Sequence, residues 1–359
     1  MGHLNKPSRQ LHGLSPYVGR LASHRATDLI NRFAKKGEIV ADPFCGSGTI
    51  PLEAWKSGMK VVASDLSPYA IALTRAKLFP IPNLNQALEQ IERINLLIDK
   101  EVKKIDLRKT PKWVRSFYHP ETLREAIAWS EILKRRQSWF LFGCFLNLLH
   151  HQRPGFLSYP ASHATPYLRS KKFPEKKFPE MYEYRDIKSR LLRKVKRTLR
   201  TPVNFNYNLP RIAKRCNASN IFKKTNKVDC IITSPPYMSG LDYARDNRLR
   251  LWFCGVDDWS AIESKLSPTR ADFSNLMISC IRNWQEWIRP KGYIAIVLGD
   301  IHRAKKRIDV AGLVLNCVKK NASLLNLVSC EDQIIPDEKR LIKGNSGTIT
   351  ETTLTFRRK

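Results

Sequence analysis

The chain has 359 residues, with 63 Lys and Arg against 32 Asp and Glu and a formal net charge of +31. Its 42% hydrophobic and 26% charged residues mark a globular composition, not a disordered one, and the length allows one large core or two smaller ones. The longest apolar run, Phe140 to Leu149, is too short to span a bilayer, and so large a basic excess points to an anionic partner, nucleic acid first.

Eight scattered cysteines without a C-x-x-C pair read as reduced, buried thiols, and His150, His151 and His163 have no partners at metal-ligand spacing, so no metal is expected. No N-terminal charged-then-apolar cleavage pattern is present, which predicts a cytoplasmic protein.

In chain order, residues 21–35 are amphipathic and Glu38 to Asp42 reads as a short buried strand. After Gly46 and Gly48 a helix runs from about Ile50 to Ser57, closed by Gly58. Lys60 to Ser64 is a second strand ending at Asp65, and a helix from Pro68 to Leu78 stops before Pro80. Strand–helix–strand–helix is the start of a doubly wound, mostly parallel sheet. The rhythm resumes near 211, with strands at Arg211–Cys216, Val228–Thr233 and Tyr293–Leu298 and helices at about 273–288 and 311–321. Two late strands, about 325–329 and 350–356, suggest an antiparallel terminal hairpin within the sheet.

Between these halves lies an insert with another character. Residues 83–105 form a long amphipathic helix, an aromatic stretch follows, and residues 154–179 are rich in Pro, Tyr and His. Residues 81–200 hold 26 Lys and Arg against 12 Asp and Glu, +14 in all. The insert closes with Ile187 to Arg200, whose residues 187, 191, 195 and 199 share a helical face, leaving Arg193, Lys194, Lys196 and Arg197 as a basic face for phosphates. The division is therefore 1–80, a basic helical and loop insert over 81–205, and 206–359.

Two motifs carry chemistry. Asp42-Pro-Phe-Cys-Gly-Ser-Gly-Thr49 sits where the first strand turns into a helix, and its glycines let backbone approach a ligand at a helix N-terminus. A dinucleotide fingerprint would place a third glycine at 51, which is proline. Asp65, at the end of the second strand, suits ribose hydroxyls, so a nucleoside without a pyrophosphate fits best. The second motif, Ser234-Pro235-Pro236-Tyr237, ends a buried strand in a rigid, donor-poor corner topped by a ring. Past it, Asp242, Tyr243 and Arg245 fall at helical spacing and are candidates for target or phosphate contact, with helix surface the default; Asp300 is a candidate at the sheet rim.

Together D-P-F-C-G-S-G-T and T-S-P-P-Y resemble the S-adenosylmethionine-dependent DNA amino-methyltransferases of the cytosine-N4 and adenine-N6 type, over about 11–80 and 211–357. The resemblance implies a Rossmann-like class I methyltransferase fold, α/β, with an antiparallel terminal strand. It implies that Asp42, Phe44, Gly46 and Gly48 line the cofactor, that Asp65 holds its ribose, that Asn217 and Ala218 lie beside its adenine, and that Tyr17 helps hold its methionine moiety. It makes Ser234, Pro235, Pro236 and Tyr237 the catalytic corner, where Ser234 and the Pro235 carbonyl accept the amine N–H bonds and Tyr237 stacks a flipped base. Double-stranded DNA is the implied partner, with the insert reading the target and a cognate restriction endonuclease as the setting. Serine at 234 favours cytosine N4 over adenine N6. Two alternatives stay open: an RNA guanine-N2 methyltransferase, which the first motif also resembles, and a basic nucleic-acid-binding protein on a decayed methyltransferase fold.

Overall fold

The computed structural model describes residues 11–163, 165–221, 227–236, 238, 242–303, 306–336, 338 and 348–359. In chain order these form α1 (Ser23–Phe33), β1 (Ile39–Asp42), α2 (Thr49–Lys56), β2 (Lys60–Asp65), α3 (Pro68–Leu78), α4 (Leu84–Val102), α5 (Lys112–Arg115), α6 (Pro120–Arg135), α7 (Trp139–Leu148) and α8 (Ile187–Thr198). The second half runs β3 (Arg211–Arg215), β4 (Val228–Thr233), α9 (Tyr243–Phe253), α10 (Ser260–Leu266), α11 (Arg270–Trp287), β5 (Ile288–Gly299), β6 (Ile301–Arg303), β7 (Lys306–Ile308), α12 (Val310–Asn321), β8 (Leu325–Ile334) and β9 (Thr350–Arg358).

Contacts sort the chain into two units. The first, a sheet unit, comprises residues 18–74, 205–243 and 260–359. Seven of its strands form one sheet in the order β3-β2-β1-β4-β5-β9-β8. β1, β2, β3, β4 and β5 are parallel, whereas β9 runs antiparallel between β5 and β8. This is the Rossmann-like arrangement with an antiparallel terminal strand that the sequence rhythm and motifs anticipate. Ile231, Ile294, Ile296, Leu354 and Phe356 belong to one buried cluster with Phe273, Met277, Ile281 and Trp284 of α11 and Val314 and Val318 of α12. Burying such side chains contributes roughly 1.5–3 kcal/mol each. Because all five parallel strands point one way, Asp42, Asp65, Arg215, Thr233 and Gly299 end them along one edge.

β5 starts earlier than the apolar run Tyr293–Leu298 predicts. It begins at Ile288 and passes through Pro290, where the pairing with β4 shifts register between Val228 and Cys230. A proline cannot donate to the ladder, and the irregularity accommodates it.

The second unit is helical and comprises residues 11–17, 75–204 and 244–259. α4, α6 and α8 pack on one another, and α7 packs on α6 and α8. Ile91, Ile98, Leu123, Trp129, Ile132, Phe140, Phe145, Leu191 and Val195 are all buried there. The apolar run Phe140–Leu149 is thus largely a core helix. Residues 244–259 belong to this unit and not to the C-terminal half where the sequence division places them. The reason lies in the packing: Phe253 meets the rings of Tyr118 and Phe145 edge-on, and Ser130 Oγ donates to the Phe253 carbonyl at 3.0 Å. The irregular stretch before α8 is organised by Arg185, a buried guanidinium that donates to the carbonyls of Phe156, Ser158 and Met181.

Candidate active site

The loop from β1 to α2 is built by its own backbone and by three neighbours. Gly46 and Gly48 take positive φ of 48° and 76°, and Gly48 N donates to the Cys45 carbonyl at 2.7 Å. Cys45 N donates to Ser64 O on β2 at 2.9 Å, and Thr74 Oγ1 donates to Gly46 O at 3.1 Å. The sequence suggests that these glycines serve ligand approach. At Gly48 the structure gives a different cause: an added Cβ would lie 2.7 Å from Thr74 Oγ1 and 2.9 Å from Thr74 Cα, so α3 itself demands the glycine.

Asp65 is tied into the same loop. Its Oδ2 accepts from Gly46 N at 2.9 Å and its Oδ1 from Ser67 N at 2.8 Å, and the Leu66 backbone also bonds it, which still leaves lone-pair capacity on the carboxylate for a hydroxyl donor. Burial pushes its carboxyl up to about 6 against those hydrogen bonds. Asp42 is 2% exposed, and burial pushes its carboxyl up to about 8, the nearby Asp65 adding to the effect and the Thr233 bond opposing it. Cys45 is buried with Sγ 3.4 Å from Thr74 Oγ1, and burial raises its thiol well above the ordinary range, the environment of a packing residue.

One residue joins the loop to the corner. Thr233, the last residue of β4, donates from Oγ1 to Asp42 Oδ1 at 2.7 Å and accepts from Phe44 N at 3.1 Å. The next residues are Ser234, half-buried, Pro235, buried, and Pro236, partly exposed. Tyr237, the expected stacking ring, lies outside the described residues. The motifs give Thr233 no role; a hydroxyl at the end of a buried strand, one residue past the position that faces a buried aspartate on the paired strand, is the signal that finds it.

Asn217 and Ala218 follow β3 at the same edge. Asn217 Oδ1 accepts from Ser219 N and Ser219 Oγ, both at 2.9 Å, and the Ala218 carbonyl accepts from Trp284 Nε1 at 3.0 Å. Phe44 meets Trp284 edge-on at 6.1 Å. Asp300 at the end of β5 is 1% exposed and is gripped by Arg307 through Nε at 2.7 Å and Nη2 at 2.6 Å. That pair ties β7 to the end of β5.

Asp242 and Tyr243 are partly exposed and end a segment of the sheet unit, where Tyr243 N donates to Ser267 Oγ at 3.3 Å; the other candidates fall in the helical unit. Tyr17 is partly exposed and ends its first segment. Arg245 is exposed on α9, 3.7 Å from Asp246. On α8, Arg193, Lys196 and Arg197 are exposed, whereas Lys194 is 4% exposed, with Nζ donating to Gly13 O at 3.2 Å. Burial pulls its ammonium down to about 8. Lys194 therefore leaves the basic face on which the sequence reading set it. Among the described residues no group of three or more His, Cys, Asp and Glu is placed to hold a metal, and no helix is long and apolar enough to cross a membrane.

Comparison with known proteins adds a class. The model of the RMKL-like methyltransferase domain matches residues 26–97, which span the glycine loop and Asp65. The chain is similar to the type II methyltransferase M.MjaII of Methanocaldococcus jannaschii, 30% identical over 71 residues, 20% of this chain and 13% of that one. It is also similar to a tRNA (guanine(37)-N(1))-methyltransferase of Encephalitozoon cuniculi, 33% identical over 115 residues, 32% of this chain and 31% of that one. The matched stretches thus cover less than a third of the length of either relative. The crystal structure of TrmN from Thermus thermophilus aligns with a TM-score of 0.42 at 12% identity, over 98% of this chain and 53% of that one.

Methyltransferase domains of this fold take S-adenosylmethionine, and the residues at the edge fit it. Asp65 retains acceptor capacity where a ribose diol is expected. The buried hydroxyls of Ser47 and Thr49, flanking Gly48 at the start of α2, have no partner among the described residues, as suits a loop that closes on polar groups.

Proposed function

We propose that this chain is an S-adenosylmethionine-dependent methyltransferase that methylates the exocyclic amine of a DNA base, with cytosine N4 favoured over adenine N6. The observation that carries the proposal is the Asp42–Thr233–Phe44 link, which ties the start of the glycine loop to the residue from which the Ser234-Pro235-Pro236 corner springs. Two acceptors are what an exocyclic amine requires. Its lone pair is delocalised into the ring, and Ser234 with the Pro235 carbonyl would take both N–H bonds so that the nitrogen pyramidalises. The prolines hold those acceptors before the substrate arrives, so no reorganisation is left for the reaction itself. The glycine loop and Asp65 would hold S-adenosylmethionine, which would supply an electrophilic methyl group; its transfer would form the carbon–nitrogen bond as the carbon–sulfur bond breaks, leaving S-adenosylhomocysteine, with one amine proton lost to solvent. DNA is favoured by the SPP corner and the M.MjaII similarity, and a restriction endonuclease is the partner that such a setting implies. RNA guanine methylation is the second reading, favoured by the longer match to the tRNA enzyme.

Nucleoside mass spectrometry decides among these. The purified chain is incubated with S-adenosylmethionine and, separately, unmethylated genomic DNA and bulk tRNA. N4-methylcytosine in the DNA is the expected product. N6-methyladenine moves the target to adenine, methylguanosine in tRNA alone installs the second reading, and no methylated nucleoside in either sinks the proposal.

Two further outcomes are expected. The ionised form of Asp65 is the one that accepts ribose hydroxyls, so cofactor affinity should rise as pH climbs through about 6. The same raised values, about 6 for Asp65 and about 8 for Asp42, make their own contribution to stability largest below the unfolded value near 4 and lost as pH rises through 6 and 8. Thermal unfolding from pH 5.5 to 8.5 should therefore show the cofactor's stabilising increment growing with pH while the cofactor-free protein weakens from these two groups. An increment that is flat across this range removes Asp65 from the ribose site. Separately, replacing Arg193, Lys196 and Arg197 by Gln should reduce the log–log salt slope of DNA binding by up to about three, one for each lost phosphate contact. An unaltered slope marks that face of α8 as plain helix surface.

A further inference from the structure

The helical unit carries a small presented feature that no motif accounts for. Residues 161–163 and 165–168 are drawn together by an antiparallel bridge between Ala161 and Leu168, with Ser162 N donating to Tyr167 O and Tyr167 N to Thr165 O, both at 2.9 Å. Their base is fixed from below: Ser162 O is 2.9 Å from His150 Nδ1, Arg169 N donates to Pro160 O at 2.7 Å, and Arg169 Nη1 donates to Gln152 Oε1 at 2.6 Å. This rigid support exposes two adjacent apolar side chains, Tyr167 at 51% and Leu168 at 38%. The Arg248 guanidinium lies 4.8 Å from the centre of the Tyr167 ring and donates to the carbonyl of Pro166, so the ring is backed by a cation and held.

Single exposed apolar residues are ordinary. An exposed aromatic on a braced segment, cation-backed and set in strongly basic sequence, is less so. Residues 166–177 hold five Lys and Arg against one Glu. Tyr184, another exposed tyrosine of this unit, has its hydroxyl bound to the carboxylate of Glu125, whereas Tyr167 is bonded to the Arg248 cation. Nucleic acid binds where aromatic faces for bases are combined with cations for the backbone.

We propose that Tyr167, braced by Arg248, is a stacking platform for an unpaired DNA base. The inference rests on the reading of DNA as substrate and specifies a residue through which the helical unit would engage it. In such an arrangement Arg169, Lys171 and Lys172 neutralise phosphates beside the stacked base, while the ring contributes affinity that salt does not screen.

The test is fluorescence anisotropy of the full chain with a labelled single-stranded DNA and its fully paired duplex at several salt concentrations. Tyr167→Ala should weaken single-strand binding about tenfold, change duplex binding by less than about twofold, and leave the salt slope unaltered. Tyr167→Phe should bind as the unaltered chain does. Single-strand affinity within twofold for Tyr167→Ala, equal losses for Phe and Ala, or a flattened salt slope would each overturn the proposal. So would a matched RNA strand binding tenfold tighter through Tyr167, which would make RNA the partner. No turnover is involved, so the two readings fail separately. A chain that stacks DNA on Tyr167 yet yields no methylated nucleoside loses the proposed function alone. One that yields N4-methylcytosine with a Tyr167→Ala variant of unaltered single-strand affinity loses only this inference.

Discussion

Ser234→Ala and Pro235→Ala are expected to lower methyl transfer about 10²–10³-fold, by analogy with the loss of one preorganised oxyanion-hole hydrogen-bonding group, while S-adenosylmethionine binding changes by less than about twofold. The two variants act differently. Ser234→Ala deletes an acceptor. Pro235→Ala keeps the carbonyl but restores the rotational freedom and the backbone N–H that proline removes, so its acceptor is no longer fixed in advance. Neither change touches the Thr233 bridge to Asp42 and Phe44, which is why cofactor affinity should survive. Single-turnover rates and calorimetric cofactor titrations on the same preparations check this. Equal losses in turnover and cofactor affinity would mean that the amine pocket is elsewhere.

Gly48→Ala should have the other large effect. The residue sits at φ 76°, where a side chain costs roughly 1–2 kcal/mol, and the new Cβ meets Thr74 backbone as well as its hydroxyl, adding roughly 1–3 kcal/mol of overpacking. Thr74 also holds the Gly46 carbonyl, so a displaced Thr74 disturbs the loop that Asp65 braces. Gly37→Ala is the control: it too has positive φ, 85°, but nothing within 4 Å of the added atom. Denaturant unfolding should show Gly48→Ala well below Gly37→Ala, with cofactor affinity lost in the first and kept in the second. Matching stabilities would show that Thr74 yields at little cost.

The sheet was readable because the central strands β1, β2, β4 and the second half of β5 are largely apolar runs bounded by turn signals, and because both motifs begin where such a run stops. Val228–Thr233 and Pro68–Leu78 fall on the residues predicted. Lys194 shows why charge patterns mislead on a helix. It lies three residues after Leu191 and seven after Ile187, so spacing alone puts it with the packed face, but its charge argued for solvent. A lysine stem buries readily when the ammonium finds a carbonyl, here that of Gly13. Thr74 and Arg185 were illegible for another reason: their partners lie 28 residues or more away, or are backbone carbonyls of an irregular stretch, and no local pattern encodes them. The assignment of 244–259 was hidden because the chain enters the helical unit there without any linker-like composition.

That last segment limits how such a protein can diversify. Exchange of a contiguous cassette at the two ends of the 81–205 stretch would leave Leu249, Leu251 and Phe253 behind, shaped to a core that had departed. A helical unit exchanged by recombination would have to start at 75 and bring a matched 11–17 and 244–259 with it, from separate places in the gene. Point substitution in exposed positions is therefore the easier evolutionary path, and chimeras built in the laboratory should be designed with all three segments moved together.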